Sequence, residues 1–262
     1  MTELDEIRAA VREVVPDVVD LVRRIPDRAA PWIGTWTVAD VAAHLSHVFR
    51  FDIDAIAGHP VPEAVVTAPG MAELNAKLLA DDGDRDPAVL ADRLAALADG
   101  FDDVAVEAPH VDWLQGVPLP PSVVAGHVLE ECLIHGHDIA AATGRPWPIR
   151  RRHALLAIEG GVLPLIAALP PTAFVKEGSD FRGRIEVRLR GGGRTLLDFD
   201  RGCLTLGTGR LADAYLQADP AALMLVFIGR QGLAKPLLGG KFAAFGPRPW
   251  KLLGMLDAIN PP

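Results

Sequence analysis

The hydrophobic pattern of this 262-residue chain changes its period near the segment GRPWP at Gly144–Pro148. Before it, apolar residues recur every three to four positions, as along Leu4–Arg24, which is the period of a helix packed on one side. After it, apolar and charged residues alternate along Ile185–Arg190, which is the period of a β-strand. A run of helices followed by a run of strands predicts an α+β fold. We therefore expect two domains, a helical one at residues 1–149 and a smaller α+β one with an antiparallel sheet at residues 150–262.

Five helices are expected in the first domain, and capping residues mark several of their ends. Thr37 is a good N-cap, with Asp40 three residues later as in a capping box, and Gly58 is a natural stop. Asp86 caps the fourth helix, whereas Pro16 would dent or split the first one. The helices are expected at residues 4–24, 37–58, 70–79, from 87 onward, and 122–143.

The second domain is expected to open with a helix and to continue into a sheet. The three glycines at 191–193 form a turn between two of its strands. The expected elements are a helix at 151–169, an antiparallel meander of strands at 185–190, 195–200 and 204–206, a helix at 219–228, a short strand at 241–246, and a closing helix at 250–259.

The composition limits the class of partner. The net charge of −8 argues against nucleic acid, because a phosphate backbone attracts a basic surface. The acidic N-terminus lacks the apolar core of a signal peptide, and the longest apolar run, near Leu155–Leu169, is too broken to span a membrane. With only two cysteines, Cys132 and Cys203, no disulfide framework is indicated. We therefore expect a cytoplasmic monomer or homodimer whose partners are small molecules.

The segment EECLIHGHDIA at Glu130–Ala140 concentrates metal-ligating side chains on the fifth helix. Glu131 and His135 are four residues apart and share one helical face, with His127 one turn earlier. Such a pair can hold a divalent ion, but the same spacing also produces ordinary surface ion pairs. His44, in the apolar face of the second helix, is either a hydrogen-bonded core residue or a third ligand. A His, Glu and His set would leave coordination positions open, as catalytic sites do.

Other reactive motifs are absent from the sequence. There is no nucleophile elbow, no P-loop and no dinucleotide-binding glycine pattern at a strand–helix turn. Cys132 is expected to be a buried thiol. His59, His110 and His153 are expected at the surface.

Two separated segments resemble the N-terminal domain of the mycothiol-dependent maleylpyruvate isomerase family, which is related to the DinB-like metal-dependent four-helix bundles. The first, WTVADVAAHL, carries the pattern Trp-Thr-Val…His-Leu, and the second, EECLIHGHDIAAATGRP, carries Glu-x-x-x-His-Gly-x-Asp. His137 stands where the family commonly has Trp. The resemblance implies a four-helix bundle in which His44, Glu131 and His135 bind a divalent metal, typically zinc.

The resemblance continues more weakly into the second domain. The segments ADAYLQADPAALMLVFIGR and GGKFAAFGPRPWKLLGMLDAI look like the sterol-carrier-type α+β domain that follows the metal domain in this superfamily. In related isomerases an arginine of this domain faces the metal site, and we match it to Arg230. The alternative for Arg230 is a cation that stabilises the C-terminus of a helix.

The resemblance implies an enzyme that binds zinc and uses mycothiol as a thiol co-substrate. The expected function is an isomerase or S-transferase acting on a small electrophilic substrate, with Arg230 as a catalytic residue that pairs with an acidic group. His127, His137 and Asp138 are further candidates for the site. One alternative is a DinB-like stress protein whose metal binds no thiol. Another is a non-catalytic protein whose C-terminal domain binds an apolar ligand in a groove lined by Leu223, Leu225, Val226, Phe227, Leu237, Leu238 and Phe242.

Overall fold

The computed structural model describes residues 2–259, which fall into two compact units. One unit comprises Met1–Val65 and Ala72–Ile149, and the other comprises Val66–Met71 and Arg150–Pro262. The first is helical and the second combines a sheet with helices, so the predicted α+β fold is confirmed. Within the described residues, none of the helices combines the length and apolar character needed to cross a membrane.

The first unit is built on a four-helix bundle. Its elements are β1 (Pro31–Ile33), β2 (Trp36–Thr37), β3 (Val111–Asp112), β4 (Pro118–Leu119), α1 (Glu3–Arg23), α2 (Val38–Ile56), most of α3 (Ala68–Asp81), α4 (Pro87–Asp103) and α5 (Pro121–Ala142). Helices α1 and α2 each pack against both α4 and α5. The strands pair into two short antiparallel hairpins, β1 with β2 and β3 with β4. All five predicted helices are therefore present, and the two hairpins are additions that the sequence analysis does not predict.

Capping residues set the starts of α2 and α4. Thr37 and Asp40 form the predicted capping box at the start of α2, and Asp86 caps α4 through its side chain. Pro16 does not split α1, which continues through it to Arg23. Val15 and the other apolar residues of this helix face are buried. Packing therefore offsets the hydrogen bond that the proline cannot donate.

The second unit is built on a five-stranded sheet. Its elements are α6 (Arg151–Ala157), a π-helical turn (Ile158–Val162), α7 (Leu163–Ala168), β5 (Arg182–Leu189), β6 (Arg194–Asp200), β7 (Leu204–Gly207), β8 (Ala214–Ala218), α8 (Pro220–Phe227), α9 (Ala234–Leu238), β9 (Phe242–Phe245) and α10 (Lys251–Ala258). The strand order is β7-β6-β5-β8-β9. Strands β5, β6 and β7 form the predicted antiparallel meander. Strand β8 pairs parallel with β5 and antiparallel with β9.

Strand β8 is an element of the second unit that is not predicted from the sequence. Its buried positions are Ala214, Leu216 and Ala218, so two of the three inward side chains are alanines. Alanine is depleted in strands and gives a weak alternation signal. The strand also ends directly at Asp219, the N-cap of α8. The clearest sequence signal in this region is therefore the start of α8, and the strand before it gives little signal of its own.

Helices α2 and α5 are buried along most of their length. A helix with apolar residues all round lies in a core, so the few polar side chains buried on it need partners. On these two helices the buried polar residues are His44, Ser46, Asp52, His135 and Asp138. Two of these five, His44 and His135, belong to the cluster described next.

Candidate metal centre

The three predicted metal ligands, His44, Glu131 and His135, lie close together between α2 and α5. Nε2 of His44 lies 3.4 Å from Oε2 of Glu131, and Nε2 of His135 lies 3.0 Å from the same oxygen. One ligand atom from each residue lies within 4.8 Å of the other two. Bonds of roughly 2.0–2.2 Å to a zinc ion would bring such ligand atoms about 3–4 Å apart. The three side chains are therefore close enough to share one ion.

The helical period explains why these residues meet. Glu131 and His135 are one turn apart on α5, and the neighbouring apolar residues Val124, Val128 and Ile139 are fully buried. This confirms that the ligand face of α5 points into the bundle. On α2, His44 is only 6% exposed, so its predicted burial is also confirmed.

The carboxylate of Glu131 supplies a direct test of whether a metal ion fits. Its Oε2 is buried and makes no hydrogen bond within the described part of the chain, although two imidazole nitrogens approach it. A buried carboxylate oxygen without a partner is costly. A cation among these three atoms would satisfy it. The donor set therefore suits a divalent ion such as zinc, which binds imidazole nitrogen and carboxylate oxygen.

The pKa shifts of His44 and Glu131 suit metal binding, whereas the raised pKa of His135 means that a metal ion has to displace a proton from this ring. Burial lowers the pKa of His44, which favours the neutral imidazole that a ligand must be. Burial alone would raise the pKa of Glu131, but the three histidines around it outweigh burial and hold the pKa well below its usual value. Burial alone would lower the pKa of His135, but Asp138 and Glu131 outweigh it and raise the pKa to about 9.

Comparison with known proteins places this bundle in a family. Residues 4–140 match the family described as mycothiol maleylpyruvate isomerase N-terminal domain, and this stretch is more than half of the chain. The chain belongs to this family. The matched residues include all three members of the cluster.

Solved structures extend the likeness beyond the family domain. A crystal structure of the mycothiol-dependent maleylpyruvate isomerase is similar to this chain with a TM-score of 0.54 and 15% identity, over 87% of this chain and 90% of that one. A histidine-to-alanine mutant of the mycothiol-dependent maleylpyruvate isomerase gives a TM-score of 0.53, with the same identity and coverage. At this identity the likeness concerns the fold. No curated protein matches the chain significantly.

In this member of the maleylpyruvate isomerase family, the two histidines of the cluster are oriented differently. Nδ1 of His135 lies 3.0 Å from Oδ2 of the buried Asp138, which leaves Nε2 for an ion. Nδ1 of His44 has no hydrogen-bond partner among the described residues. Instead, the ring of Trp36 packs 5.0 Å from the His44 ring. Asp138 thus holds one imidazole through a hydrogen bond, and aromatic packing holds the other.

His127 lies beside the cluster and contacts the other oxygen of Glu131. Its Nε2 is 3.4 Å from Oε1, and its Nδ1 is 2.8 Å from Oδ2 of Asp52. The indole Nε1 of Trp113 donates to Oδ1 of Asp52 over 2.9 Å. Asp52 and Trp113 are not predicted from the sequence. Asp52 could have been predicted, because it is an aspartate on an otherwise apolar helix face. Nothing in the sequence indicates Trp113.

The remaining reactive residues of the sequence analysis fall outside the cluster. Cys132 is buried as expected, and burial raises the pKa of its thiol, which argues against a nucleophile. Burial also raises the pKa of Glu130, to about 7. His59 and His110 are exposed as expected. The prediction of a surface position is wrong for His153, which is 3% exposed on α6. Its basic neighbours suggested a solvated helix start, but the helix turns this position inward.

The candidates in the second unit are positioned as follows. Arg230 lies two residues after Ile228, the C-cap of α8, and donates to the carbonyl of that residue over 2.9 Å. This contact is typical of a cation at a helix C-terminus. Among the groove residues, Leu223 and Phe242 are buried, whereas Leu238 is 90% exposed. These side chains therefore do not share one environment, and the groove stays a hypothesis.

Proposed function

We propose that this chain is a zinc-dependent enzyme that uses mycothiol to isomerise a small electrophilic substrate or to transfer the thiol to it. The observation that carries the proposal is the approach of two imidazole nitrogens to one buried carboxylate oxygen, which has no hydrogen bond from any of the described residues. Membership of the mycothiol maleylpyruvate isomerase family supports the choice of thiol. The proposed ligands are His44, Glu131 and His135.

Each ligand has a defined part in the proposed centre. His44 is neutral because it is buried, and it offers Nε2. Asp138 holds Nδ1 of His135, so that this ring also offers Nε2. Glu131 offers Oε2 and one negative charge. A zinc ion bound by three protein ligands would supply an open coordination position and would lower the pKa of a thiol that enters it.

The chemistry that we propose is addition of the thiol to an electrophilic carbon of a double bond, in which the C–S bond forms, the π bond breaks and the thiol proton passes to the substrate. In an isomerisation the added thiol leaves again and is recovered, whereas in a transfer it stays on the product and is consumed. Arg230 is proposed as the residue that pairs with an acidic group of the substrate. The five-stranded sheet with its helices supports our proposal that residues 150–262 form a sterol-carrier-type domain. The free Cys132 and Cys203 support a reducing, cytoplasmic location.

The test begins with the metal content of the purified protein. We expect about one zinc ion per chain, and mycothiol binding that depends on it, measured by elemental analysis and calorimetry. In His44→Ala we expect the bound zinc to fall at least tenfold and mycothiol binding to disappear, because two protein ligands hold the ion far more weakly than three. Full metal retention in His44→Ala would overturn the assignment of the ligands.

A matched control removes an imidazole that lies outside the cluster. The side chain of His59 is 67% exposed, and His59→Ala should keep the metal and the thiol affinity. Turnover with a cis-enol diacid then distinguishes isomerisation, in which mycothiol is recovered, from transfer, in which it is consumed. Arg230→Ala should reduce turnover while the metal content stays unchanged. A protein that holds zinc but has no affinity for mycothiol would instead favour a metal-binding protein without thiol chemistry.

A further inference from the structure

A series of buried polar contacts connects the residue that follows β3 with Oε1 of Glu131. Trp113 follows β3 directly, and its indole donates to Oδ1 of Asp52 on α2 over 2.9 Å. The other oxygen of Asp52 lies 2.8 Å from Nδ1 of His127 on α5. Nε2 of His127 then lies 3.4 Å from Oε1 of Glu131. The imidazole of His127 thus stands between two carboxylates, and each of its nitrogens faces one of them.

The contacts on the Asp52 side orient the ring of His127. Asp52 is fully buried and Trp113 nearly so. A buried carboxylate is costly unless polar groups satisfy it, and here the indole and the imidazole do so. The rings of Phe51 and Trp113 also pack 6.1 Å and 5.3 Å from the ring of His127. The imidazole therefore has little freedom to rotate, and its Nε2 stays directed at Glu131.

The two oxygens of Glu131 have different surroundings. Oε1 faces His127, whereas Oε2 faces the two proposed ligands His44 and His135. A carboxylate can bind an ion through one oxygen or through both, and binding through both occupies an additional coordination position. A group that engages Oε1 therefore favours binding through Oε2 alone. If the contacts of His127 served only to hold α2 and α5 together, its contact with Asp52 would be sufficient, and its Nε2 would not need to face Glu131.

We propose that His127, held by Asp52 and Trp113, is a positioning residue that engages Oε1 of Glu131 and so presents Oε2 alone to the metal ion. This inference rests on the proposed function, since it needs an ion at His44, Glu131 and His135. Its consequence is that the coordination position next to Glu131 stays open for the sulfur of the thiol. Groups behind metal ligands of this kind typically change metal affinity by about 10–100-fold when they are removed.

The test uses two amide variants of His127 that separate its two contacts. In His127→Asn the amide nitrogen takes approximately the place of Nδ1, so the contact with Asp52 can persist while the contact with Glu131 is lost. In His127→Gln the amide nitrogen takes approximately the place of Nε2, so the contact with Glu131 can persist. The measurements are zinc affinity by competition with a chromophoric chelator and the visible absorption spectrum of the cobalt-substituted protein. The spectrum reports the number and geometry of ligands, which a loss of packing alone would not change.

We expect His127→Asn to bind zinc at least tenfold more weakly and to show a shifted cobalt spectrum. His127→Gln should stay within about threefold of the unmodified protein and keep its spectrum. His59→Asn is the control for removing an exposed imidazole, and it should match the unmodified protein. If the unmodified protein binds zinc and His44→Ala does not, but His127→Asn binds like the unmodified protein with the same spectrum, this inference alone is overturned.

Two further outcomes complete the test. Equal losses in His127→Asn and His127→Gln would point to general packing and would also overturn the inference. An unmodified protein without stoichiometric metal would overturn the proposed function and this inference together. If circular dichroism shows that the His127 variants are unfolded, Trp113→Phe replaces them, since it keeps an aromatic ring and removes one donor. A shifted cobalt spectrum in Trp113→Phe would then support the inference, and an unchanged one would overturn it.

Discussion

Glu131 is surrounded by imidazoles instead of permanently charged side chains. Its neighbours are the imidazoles of His44, His127 and His135, and no arginine or lysine pairs with it among the described residues. A guanidinium next to Glu131 would stay charged at every physiological pH and would occupy the position that a metal ion needs. An imidazole, unlike a guanidinium, can lose its proton, and metal binding displaces the proton that a ligand ring carries. The cluster is therefore suited to exchanging protons for a divalent ion, which a structural ion pair with arginine could not do.

Asp82 provides the clearest case of a carboxylate that is present for stability. It accepts hydrogen bonds from Arg93 and from the backbone of Asp84, and its Oδ2 lies 2.9 Å from Nε2 of His47. Burial raises its pKa, but Arg93, His47 and the backbone contact outweigh burial and lower the pKa to about 2. A depressed pKa in the folded state means that the ionised form stabilises the fold. This contribution is present above the unfolded value near 4 and is lost as the pH falls through about 2.

We therefore predict that Asp82→Asn lowers the free energy of unfolding by about 1–2 kcal/mol at pH 7. The difference from the unmodified protein should shrink between about pH 4 and pH 2. Urea denaturation at several pH values measures it. Asp81→Asn is the control, because the Asp81 side chain is 62% exposed and forms an exposed ion pair with Lys77 one turn away. A difference that stays constant with pH would contradict the prediction.

The site could be predicted from sequence only where its residues share a helix. The spacing of Glu131 and His135 places both on one face, and the burial of His44 follows from its apolar neighbours. Pairing His44 with the other two required the family resemblance, because helical period says nothing about contacts between distant segments. Asp52 and Trp113 show the same limit, since their contact with His127 exists only once the bundle has packed.

The start of α2 connects local sequence to the position of His44. Thr37 accepts a hydrogen bond from the backbone of Asp40 over 3.2 Å, and Asp40 accepts one from the backbone of Thr37 over 2.8 Å. We predict that Thr37→Ala lowers the free energy of unfolding by about 1 kcal/mol. The zinc content should stay unchanged, because His44 lies two turns further along and fraying is confined to the first turn. Urea denaturation and elemental analysis measure the two effects.

Thr37→Ser is the control for this variant, because serine keeps the hydroxyl that accepts from Asp40. It should unfold at nearly the urea concentration of the unmodified protein. Loss of zinc in Thr37→Ala would show that the cap positions the ligand directly, contrary to the prediction.

The accuracy of the predicted elements follows their length and period. The long helices α1, α2, α4 and α5 repeat an apolar face over many turns. Both ends of α1, α2 and α5 are predicted close to the observed ones, and for α4 the start is. The elements that are not predicted are short. They are the two hairpins of the first unit and, in the second unit, α9 and β8, and none of their strands or helices exceeds five residues. Such elements form because neighbours pair with them, and that information does not lie in their own sequence. The parallel pairing of β8 with β5 is missed for the same reason.

Metal binding should stabilise the folded state of the helical bundle that supplies all three ligands. The ligands come from α2 and α5, which are far apart in sequence, so the unfolded chain cannot bring them together. An ion that binds only the folded state adds about 2.7 kcal/mol at a free concentration of 100 times its Kd. For a chain of this size, that corresponds to a rise in Tm of roughly 5–10 °C.

We therefore predict that zinc raises the Tm of the metal-free protein by this amount and that a chelator reverses the rise, as measured by calorimetry. In His44→Ala the same zinc concentration should leave Tm nearly unchanged, because one of the three ligands is missing. His59→Ala, which removes an exposed imidazole, should respond like the unmodified protein. An equal rise in His44→Ala would show that zinc stabilises the chain from a different site. The comparison thus links one side chain to the stability of the whole helical bundle, since only an ion held at this cluster makes the rise depend on His44.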